Sequence, residues 1–162
     1  KRILNLNNLL IQRAIYKSCL IKKKIVEKDE KEKNLRKILN FGHTFAHAYE
    51  ASLNFSKKLN HGEAVILGMK SALEFSHNKK LITYKEFDSA IKHLNNSHFP
   101  VSIKNYFTRK KIHQIISFMM RDKKNNSKNI RLMLIKKIGG PIIEKEFSHA
   151  TLKLFLRKRL SN

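Results

Sequence analysis

Residues 36 to 69 read RKILNFGHTFAHAYEASLNFSKKLNHGEAVILGM, and the rest of the chain is organised around this stretch. Treated as one helix from Arg36 to Leu53, at about 100° per residue, it separates two kinds of side chain. The polar stripe holds Arg36, Asn40, His43, His47 and Glu50, and the opposite stripe holds Ile38, Phe41, Phe45 and Tyr49. A polar stripe ordinarily faces water. This stripe carries histidines, an asparagine and an arginine in a lysine-rich chain, which favours a functional face.

Histidines in this stretch are spaced so that they could supply some of the ligands of a metal site. His43 and His47 stand four residues apart, so two imidazoles can reach one ligand from the same helix face. The glutamate that follows the first histidine in a zincin helix is missing. Asn60 is a predicted N-cap with Glu63 three residues later, so His61 would begin a new helix, and a short turn would bring it back towards His43. A catalytic zinc usually has three protein ligands and one open position.

The composition sets limits on the class of protein. The chain has 162 residues, a formal net charge of +23 and a pI near 10.3. This charge raises nucleic acid as a partner, but the basic residues are mostly dispersed lysines, whereas nucleic-acid readers favour clustered arginine with interleaved aromatics. Cys19 is the only cysteine, which excludes an internal disulfide and favours a reducing compartment. No apolar run approaches the ~18 to 20 residues of a membrane span.

The first 26 residues are basic and lack acids, as in a transit peptide, but their apolar spacing favours a packed helix. The apolar stripe of that helix would consist of Leu4, Ile11, Ile15, Cys19, Ile25 and Val26. Lys22 falls in the middle of this stripe. It either extends its ammonium group to the rim of the packed surface or meets an anionic ligand at the edge of a cleft. Residues 27–34 are dense in charge and predict a turn.

The remaining pattern predicts a mostly helical domain with a small β-hairpin near the C-terminus. Helices are expected at 61–77, 84–95 and 110–121, a strand at 130–135, a turn at Gly139-Gly140 and a short extended piece at 142–143. Ser148 is expected to cap a last helix that runs to Leu160. Five further histidines have no companion at ligand spacing and are interpreted as surface or core residues: His77, His93, His98, His113 and His149.

The string LRKILNFGHTFAHAYE at 35–50, followed by HGEAV at 61–65 and Gly68-Met69, resembles 3-dehydroquinate synthase. The similarity continues upstream through 19–22 and 29–32 and downstream through Phe99-Pro100 and 121–124. It covers nearly the whole chain but only the C-terminal half of such an enzyme. Two positions depart from the family pattern, since Asn34 and Ala46 replace glycines. Asparagine tolerates a left-handed backbone, and the Ala46 methyl predicts only a tighter fit.

The resemblance implies an enzyme that converts 3-deoxy-D-arabino-heptulosonate 7-phosphate into 3-dehydroquinate and phosphate in the shikimate pathway, with NAD and a divalent metal, Zn or Co. It implies that His43 and His61 bind the metal and that Glu32 and His47 transfer protons. Without the resemblance, the acidic residues around Glu32 would be interpreted as a solvated surface patch. The implied substrate-binding residues are Lys22, Arg36, Asn40 and Lys123. Together, the cations and amide suit a phosphorylated sugar acid.

The same resemblance implies that residues 1–162 form a single C-terminal domain and that the NAD-binding domain and the third metal ligand lie outside it. This chain alone is therefore expected to be inactive. The complete enzyme is expected to be a cytoplasmic homodimer without nucleic-acid or membrane partners. Two alternatives stay open, a related sugar-phosphate cyclase that makes a different carbocycle and a basic helical module that binds nucleic acid.

Overall fold

The described chain falls into two compact units. The computed structural model describes residues 7–96, 102–121, 129–140 and 142–161. The N-terminal unit extends to Asn40, and the C-terminal unit begins at Phe41. The expectation that residues 1–162 act as one domain stays a prediction.

The N-terminal unit begins with helix α1, Asn8–Lys28. The Asn7 side chain caps it by accepting a hydrogen bond from the backbone N–H of Leu10 at 3.1 Å. The helix is as predicted, and Leu4 lies outside the described residues. The rest of the predicted packed stripe is wrong, because α1 has no buried residue and Ile15 is 59% exposed. Within its unit α1 contacts the short 3₁₀ helix Leu35–Asn40. Two 3₁₀ turns are too short to cover a helix of about six turns.

The single helix predicted from Arg36 to Leu53 is also wrong. The 3₁₀ helix ends at Asn40, and α2 occupies His43–Ser52. Between them Gly42 adopts a left-handed backbone conformation with φ +82°, which a helix cannot continue through. Arg36 and Asn40 are therefore outside the helical register of α2. Only the part of the polar stripe from His43 onwards follows one helix.

The C-terminal unit is mostly helical with one β-hairpin, which confirms the predicted fold class. It contains α2, α3 (His61–Asn78), α4 (Tyr84–Asn95), α5 (Ile112–Arg121), β1 (Asn129–Ile135), β2 (Ile142–Ser148) and α6 (His149–Arg159), with 3₁₀ turns at Ile103–Asn105 and Arg109–Lys111. The strands pair antiparallel, with Asn129 opposite Ser148 and Ile135 opposite Ile142. The second strand is longer than expected. As predicted, Ser148 caps α6 by accepting from the Thr151 N–H.

No helix in the described ranges has the length and apolar character needed to cross a membrane.

The core of the C-terminal unit forms where α2 and α3 pack together. Phe45 and Tyr49 on α2 are 1% and 0% exposed, as expected for the apolar stripe. Gly68 on α3 faces the start of α2 so closely that a Cβ atom there would lie 2.9 Å from the backbone nitrogen of Ala46. Ala46 itself is fully buried. These small residues let the helices approach, and the approach places His43 near His61.

A buried hydroxyl joins α2, α3 and α6. Ser71 on α3 donates to the carbonyl oxygen of Leu67 at 2.9 Å, which uses its single hydrogen. Its oxygen therefore accepts from the Tyr49 hydroxyl at 2.8 Å and from Arg159 Nη1 at 2.7 Å. Arg159 is also paired with Glu74. The helix that carries the histidines is thus anchored by the last helix of the unit.

Candidate metal and substrate site

Three histidine rings meet where α2 begins and α3 begins. The ring centroids of His43 and His47 are 5.5 Å apart, those of His43 and His61 are 6.2 Å apart, and those of His47 and His61 are 6.3 Å apart. Two imidazoles that bind one Zn²⁺ at about 2.0–2.1 Å have centroids roughly 5–6 Å apart. The His43–His47 separation falls in this range, and the two separations that involve His61 are slightly longer, so the three rings lie close together without forming a preassembled three-histidine site.

The position of His61 follows from local signals in the sequence. Asn60 and Glu63 form a capping box, in which the Glu63 carboxylate accepts from the Asn60 N–H at 2.9 Å. This box begins α3 at His61, as predicted. The return from α2 uses Asn54 and Phe55 in the left-handed region, with φ of 54° and 52°. The turn brings His61 back to the His43 ring as expected.

Oxygen acceptors contact two of the three rings. His61 Nδ1 lies 3.1 Å from each carboxylate oxygen of Glu50. His43 Nδ1 lies 3.4 Å from the carbonyl oxygen of Phe41. A ring that donates from Nδ1 keeps its Nε2 lone pair for a cation, and such outer contacts are typical of metal-binding histidines.

Burial favours the neutral form of His43. Desolvation lowers the pKa of His43 below its usual value, and the neighbouring His47 and His61 rings lower it further. The Phe41 carbonyl opposes this shift. A neutral imidazole is the form that binds a metal, so the burial of His43 suits a ligand.

His47 differs from the other two rings. His47 is exposed, and no described residue makes a hydrogen bond with its ring. A group that exchanges protons must be able to rotate and reach solvent or substrate. The arrangement of His47 is compatible with this role.

The donor set is that of an incomplete metal site. Within the described ranges, no group of three or more His, Cys, Asp or Glu side chains is arranged to hold a metal ion. Two imidazoles with their Nδ1 atoms hydrogen-bonded nevertheless fit a borderline cation such as Zn²⁺ or Co²⁺. His43 and His61 could therefore supply two of the three protein ligands that a catalytic site requires.

The N-terminal unit holds three more predicted site residues, Glu32, Arg36 and Asn40, in the loop after α1 and the 3₁₀ helix that follows it. The Asp29 carboxylate accepts from the backbone N–H groups of Lys33 at 2.9 Å, Asn34 at 2.7 Å and Arg36 at 2.9 Å. The hydrogen bond from Arg36, then that from Asn34, holds the pKa of this carboxyl below its usual range. Asp29 therefore fixes the course of the loop.

This loop brings together Glu32 and Asn40. The Asn40 side-chain amide donates to Glu32 Oε1 at 2.6 Å. Glu32 itself has a left-handed backbone with φ 52°, whereas Asn34, the residue expected to tolerate that conformation, is not left-handed. Such a conformation costs a non-glycine residue about 1 kcal/mol or more and is common at functional sites. Arg36 is half-buried, and its guanidinium donates to the Glu30 carbonyl at 2.7 Å.

Two predicted site residues, Lys22 and Lys123, are part of neither the histidine cluster nor the loop after α1. Lys22 is exposed on α1. Lys123, together with 99–100 and 122–128, lies outside the described residues, as does His98. His77 stacks on Phe87 at a centroid distance of 4.6 Å, which fits its interpretation as a packed histidine.

Two acidic residues that contact the predicted site residues, Glu50 and Asp29, were not predicted as site residues. Glu50 lies on the predicted polar stripe, and an acid three residues after His47 on the same face is a usable signal. Asp29 was read as part of a charged patch. Its signal is an acid directly after a helix, which commonly accepts hydrogen bonds from the following turn.

Comparisons with known proteins agree on a family. The family model described as 3-dehydroquinate synthase C-terminal matches residues 1–125. The 3-dehydroquinate synthase of Pelagibacter ubique (strain HTCC1062) is 55% identical over 161 residues, which is 99% of this chain and 44% of that protein. The enzyme of Acinetobacter baylyi is 36% identical over 144 residues, 89% of this chain and 38% of that protein. The chain thus spans less than half the length of these relatives.

Solved structures of two other synthases share the fold. A 2-deoxy-scyllo-inosose synthase, solved with carbaglucose-6-phosphate, NAD⁺ and Co²⁺, superposes with a TM-score of 0.68 at 22% identity, over 86% of this chain and 38% of that one. The 2-epi-5-epi-valiolone synthase of Streptomyces hygroscopicus, solved with NAD⁺ and Zn²⁺, gives 0.66 at 20% identity, over 93% and 39%. Because the family model matches residues 1–125 of this chain, the chain belongs to the 3-dehydroquinate synthase family and corresponds to the C-terminal domain of that family.

Proposed function

We propose that this chain is the C-terminal part of a 3-dehydroquinate synthase, which converts 3-deoxy-D-arabino-heptulosonate 7-phosphate into 3-dehydroquinate and phosphate. The observation that carries the proposal is the cluster of His43, His47 and His61, in which two rings have oriented Nδ1 atoms. The complete enzyme would contain an NAD-binding domain outside this chain and act as a cytoplasmic homodimer. The exposed apolar residues of α1, including Leu9 and Tyr16 at 74% and 65%, are suited to contact with such a domain.

His43 and His61 would hold a divalent cation through Nε2, and a carboxylate from outside this chain would be the third ligand. The cation, when bound, would supply Lewis acidity towards a substrate oxygen, and NAD would supply reversible hydride transfer. His47, exposed beside the ligands, would move a proton to or from the substrate. This chain alone would be inactive.

The loop after α1, together with Lys22 on α1, would bind and orient the anionic substrate. Arg36 and Lys22 supply positive charge, and Lys123 would add another cation. Glu32 would accept a proton, while the Asn40 amide holds its carboxylate in place at 2.6 Å. The left-handed backbone of Glu32 and the three hydrogen bonds to Asp29 together specify this loop.

Metal content and turnover together test the histidine roles. In the full-length enzyme, His43→Ala and His61→Ala should lose both metal and activity, because each removes a ligand. His47→Ala should keep its metal and NAD and lose turnover by roughly 10²- to 10⁴-fold. His149→Ala, on α6, is the matched control and should change neither. Elemental analysis of the bound metal and the turnover rate are measured for each variant. If His47→Ala contains no metal and His43→Ala keeps its metal, the two roles are reversed.

A related cyclase is the first alternative. The solved neighbours make other carbocycles according to their names, and one holds an analogue of glucose 6-phosphate. Phosphate release from 3-deoxy-D-arabino-heptulosonate 7-phosphate and from glucose 6-phosphate, measured on the full-length enzyme, separates the two. Preference for the hexose phosphate would overturn the quinate assignment.

Nucleic-acid binding is the second alternative, favoured by one basic cavity. A cavity of about 450 Å³ is lined by Arg109, Lys153, Arg157 and Lys158, with His113 beside them. The lining has no Tyr, Phe or Trp side chain for base stacking, which weakens this reading. A gel shift at rising salt tests it, because phosphate-driven binding falls steeply with salt.

A further inference from the structure

The Glu50 carboxylate belongs to none of the roles above. Glu50 lies on α2, and only 9% of the residue is exposed. Both of its oxygens lie 3.1 Å from Nδ1 of His61, the first residue of α3. The His61 side chain itself is 62% exposed. A buried carboxylate on one helix therefore contacts an exposed ring at the start of the next.

The direction of this hydrogen bond follows from the chemistry of the two groups. An ionised carboxylate can only accept, so a hydrogen bond from His61 to the ionised form of Glu50 requires the hydrogen on Nδ1. In a neutral imidazole the other nitrogen, Nε2, is then left with its lone pair. Within the described residues the His61 ring is the hydrogen-bond partner of the Glu50 side chain. Because the buried carboxylate has this one partner, the structure itself favours one tautomer of His61.

We propose that Glu50 is a positioning residue that holds His61 in the tautomer with hydrogen on Nδ1, so that Nε2 is presented to the cation. This inference rests on the proposed function for the statement that His61 is a ligand. The Phe41 carbonyl contacts His43 Nδ1 in the same way, at 3.4 Å. The two proposed ligands are thus oriented by different means, one by a main-chain carbonyl and the other by a buried acid.

A purely structural role for Glu50 predicts different behaviour. A negative charge beside the first residue of α3 would also stabilise the positive end of the helix dipole. That effect changes the stability of α3 but does not depend on which nitrogen of His61 carries hydrogen. The tautomer of His61 is therefore the measurement that separates the two roles.

The first arm of the test uses the unmodified 162-residue chain. The chain is labelled with ¹⁵N-histidine, and spectra are recorded at rising pH until the ring-nitrogen shifts of His61 no longer change. The nitrogen shifts should show hydrogen on Nδ1 and a lone pair on Nε2. A His61 ring with hydrogen on Nε2 would overturn the proposal, whether or not any variant folds.

The second arm uses Glu50→Gln, which keeps the shape but can donate as well as accept. The hydrogen on His61 should shift towards Nε2, and the affinity for Zn²⁺ alone should fall by about 10- to 100-fold. Glu63→Gln is the matched control, since it removes the same charge two residues from His61 while glutamine keeps the capping box. Its tautomer and affinity should equal those of the parent chain.

The two arms separate failure of this inference from failure of the proposed function. Unchanged His61 shifts and unchanged Zn²⁺ affinity in Glu50→Gln would refute the positioning role while leaving the ligands intact. If His43→Ala and His61→Ala both bind Zn²⁺ as the parent chain does, the metal assignment fails, and the shifts still report whether Glu50 sets the tautomer. Glu50→Asp, which keeps an acceptor, should restore the parent tautomer if glutamine unfolds the site.

Discussion

The two units hold their site residues by different means. In the C-terminal unit, the histidines stand on helices that share a buried core and a close glycine contact. In the N-terminal unit, α1 has no buried residue, and the loop with Glu32 and Arg36 is held by hydrogen bonds to the Asp29 carboxylate. The first arrangement depends on packing and the second on polar contacts near solvent. Substitutions should therefore change the stability of one unit and the local order of the other.

Gly68→Ala should have the largest effect, because it attacks the packing of the C-terminal unit directly. Its Cβ would meet the backbone at Gly42 and at Ala46, and backbone cannot move aside cheaply. We expect the free energy of unfolding to fall by about 2–3 kcal/mol, with weaker pairing of His43 and His61. Gly62→Ala is the control, since a Cβ there meets nothing within 4 Å, and thermal melts should show no loss. Equal melts for the two variants would contradict the packing account.

Ser71→Ala should come next, because it removes an acceptor inside the same unit. The Tyr49 hydroxyl and the Arg159 guanidinium would each lose a partner, and Tyr49 is fully buried. The expected loss in unfolding free energy is about 1–3 kcal/mol. Tyr49→Phe, which leaves Ser71 bonded to Leu67 and Arg159, should lose less in denaturant titrations. A larger loss for Tyr49→Phe than for Ser71→Ala would contradict the account in which Ser71 is the shared acceptor for Tyr49 and Arg159.

Asp29→Asn should alter the N-terminal unit without a large change in the melting temperature. The amide keeps one oxygen where the carboxylate used two, so the N–H groups of Lys33, Asn34 and Arg36 lose protection. Amide hydrogen exchange at these positions should accelerate. Glu30→Gln is the control, because the Arg36 side chain contacts its backbone carbonyl.

Acid should reproduce the effect of Asp29→Asn in the parent chain. The folded pKa of Asp29 lies below its usual value because of the hydrogen bonds from Arg36 and Asn34. Its contribution is therefore fully present above the unfolded pKa of about 3.9 and is lost as the pH falls through the lower folded value. The Arg36 N–H signal, followed by NMR, should shift only in that acid range. A midpoint above pH about 4 would contradict the assignment.

Lys22→Met should have the smallest effect on stability. Lys22 is exposed on a helix without buried residues, so the change should stay within about 0.5 kcal/mol. In the full-length enzyme it should nevertheless weaken substrate binding, as a contact to an anion requires. Lys23→Met, which breaks an exposed pair with Glu27 at 3.6 Å, is the control and should leave the KM unchanged. A large drop in melting temperature for Lys22→Met would make Lys22 a structural residue.

Patterns that depend on burial and capping were predictable from the sequence. The start of α3 at His61 followed from Asn60 and Glu63, and the burial of Phe45 followed from helical spacing. The break at Gly42 was missed, because the polar stripe continues smoothly across it and glycine alone does not reveal a left-handed conformation. The packing of α1 was also mispredicted. A stripe of apolar residues shows that a face can be covered but not that its partner lies in the same unit.

The hydrogen bond from Arg159 to Ser71 joins residues 88 positions apart in sequence. Contacts of such long range form late, because a long loop must close before they contribute. During synthesis, α2 and α3 can pair early, together with the hydrogen bond between Tyr49 and Ser71, but the hydrogen bond from Arg159 to Ser71 can form only once the last helix has been made. A ribosome that stalls before residue 159 would therefore present paired histidine helices whose anchor is still missing, and chaperones would meet the site before it is locked.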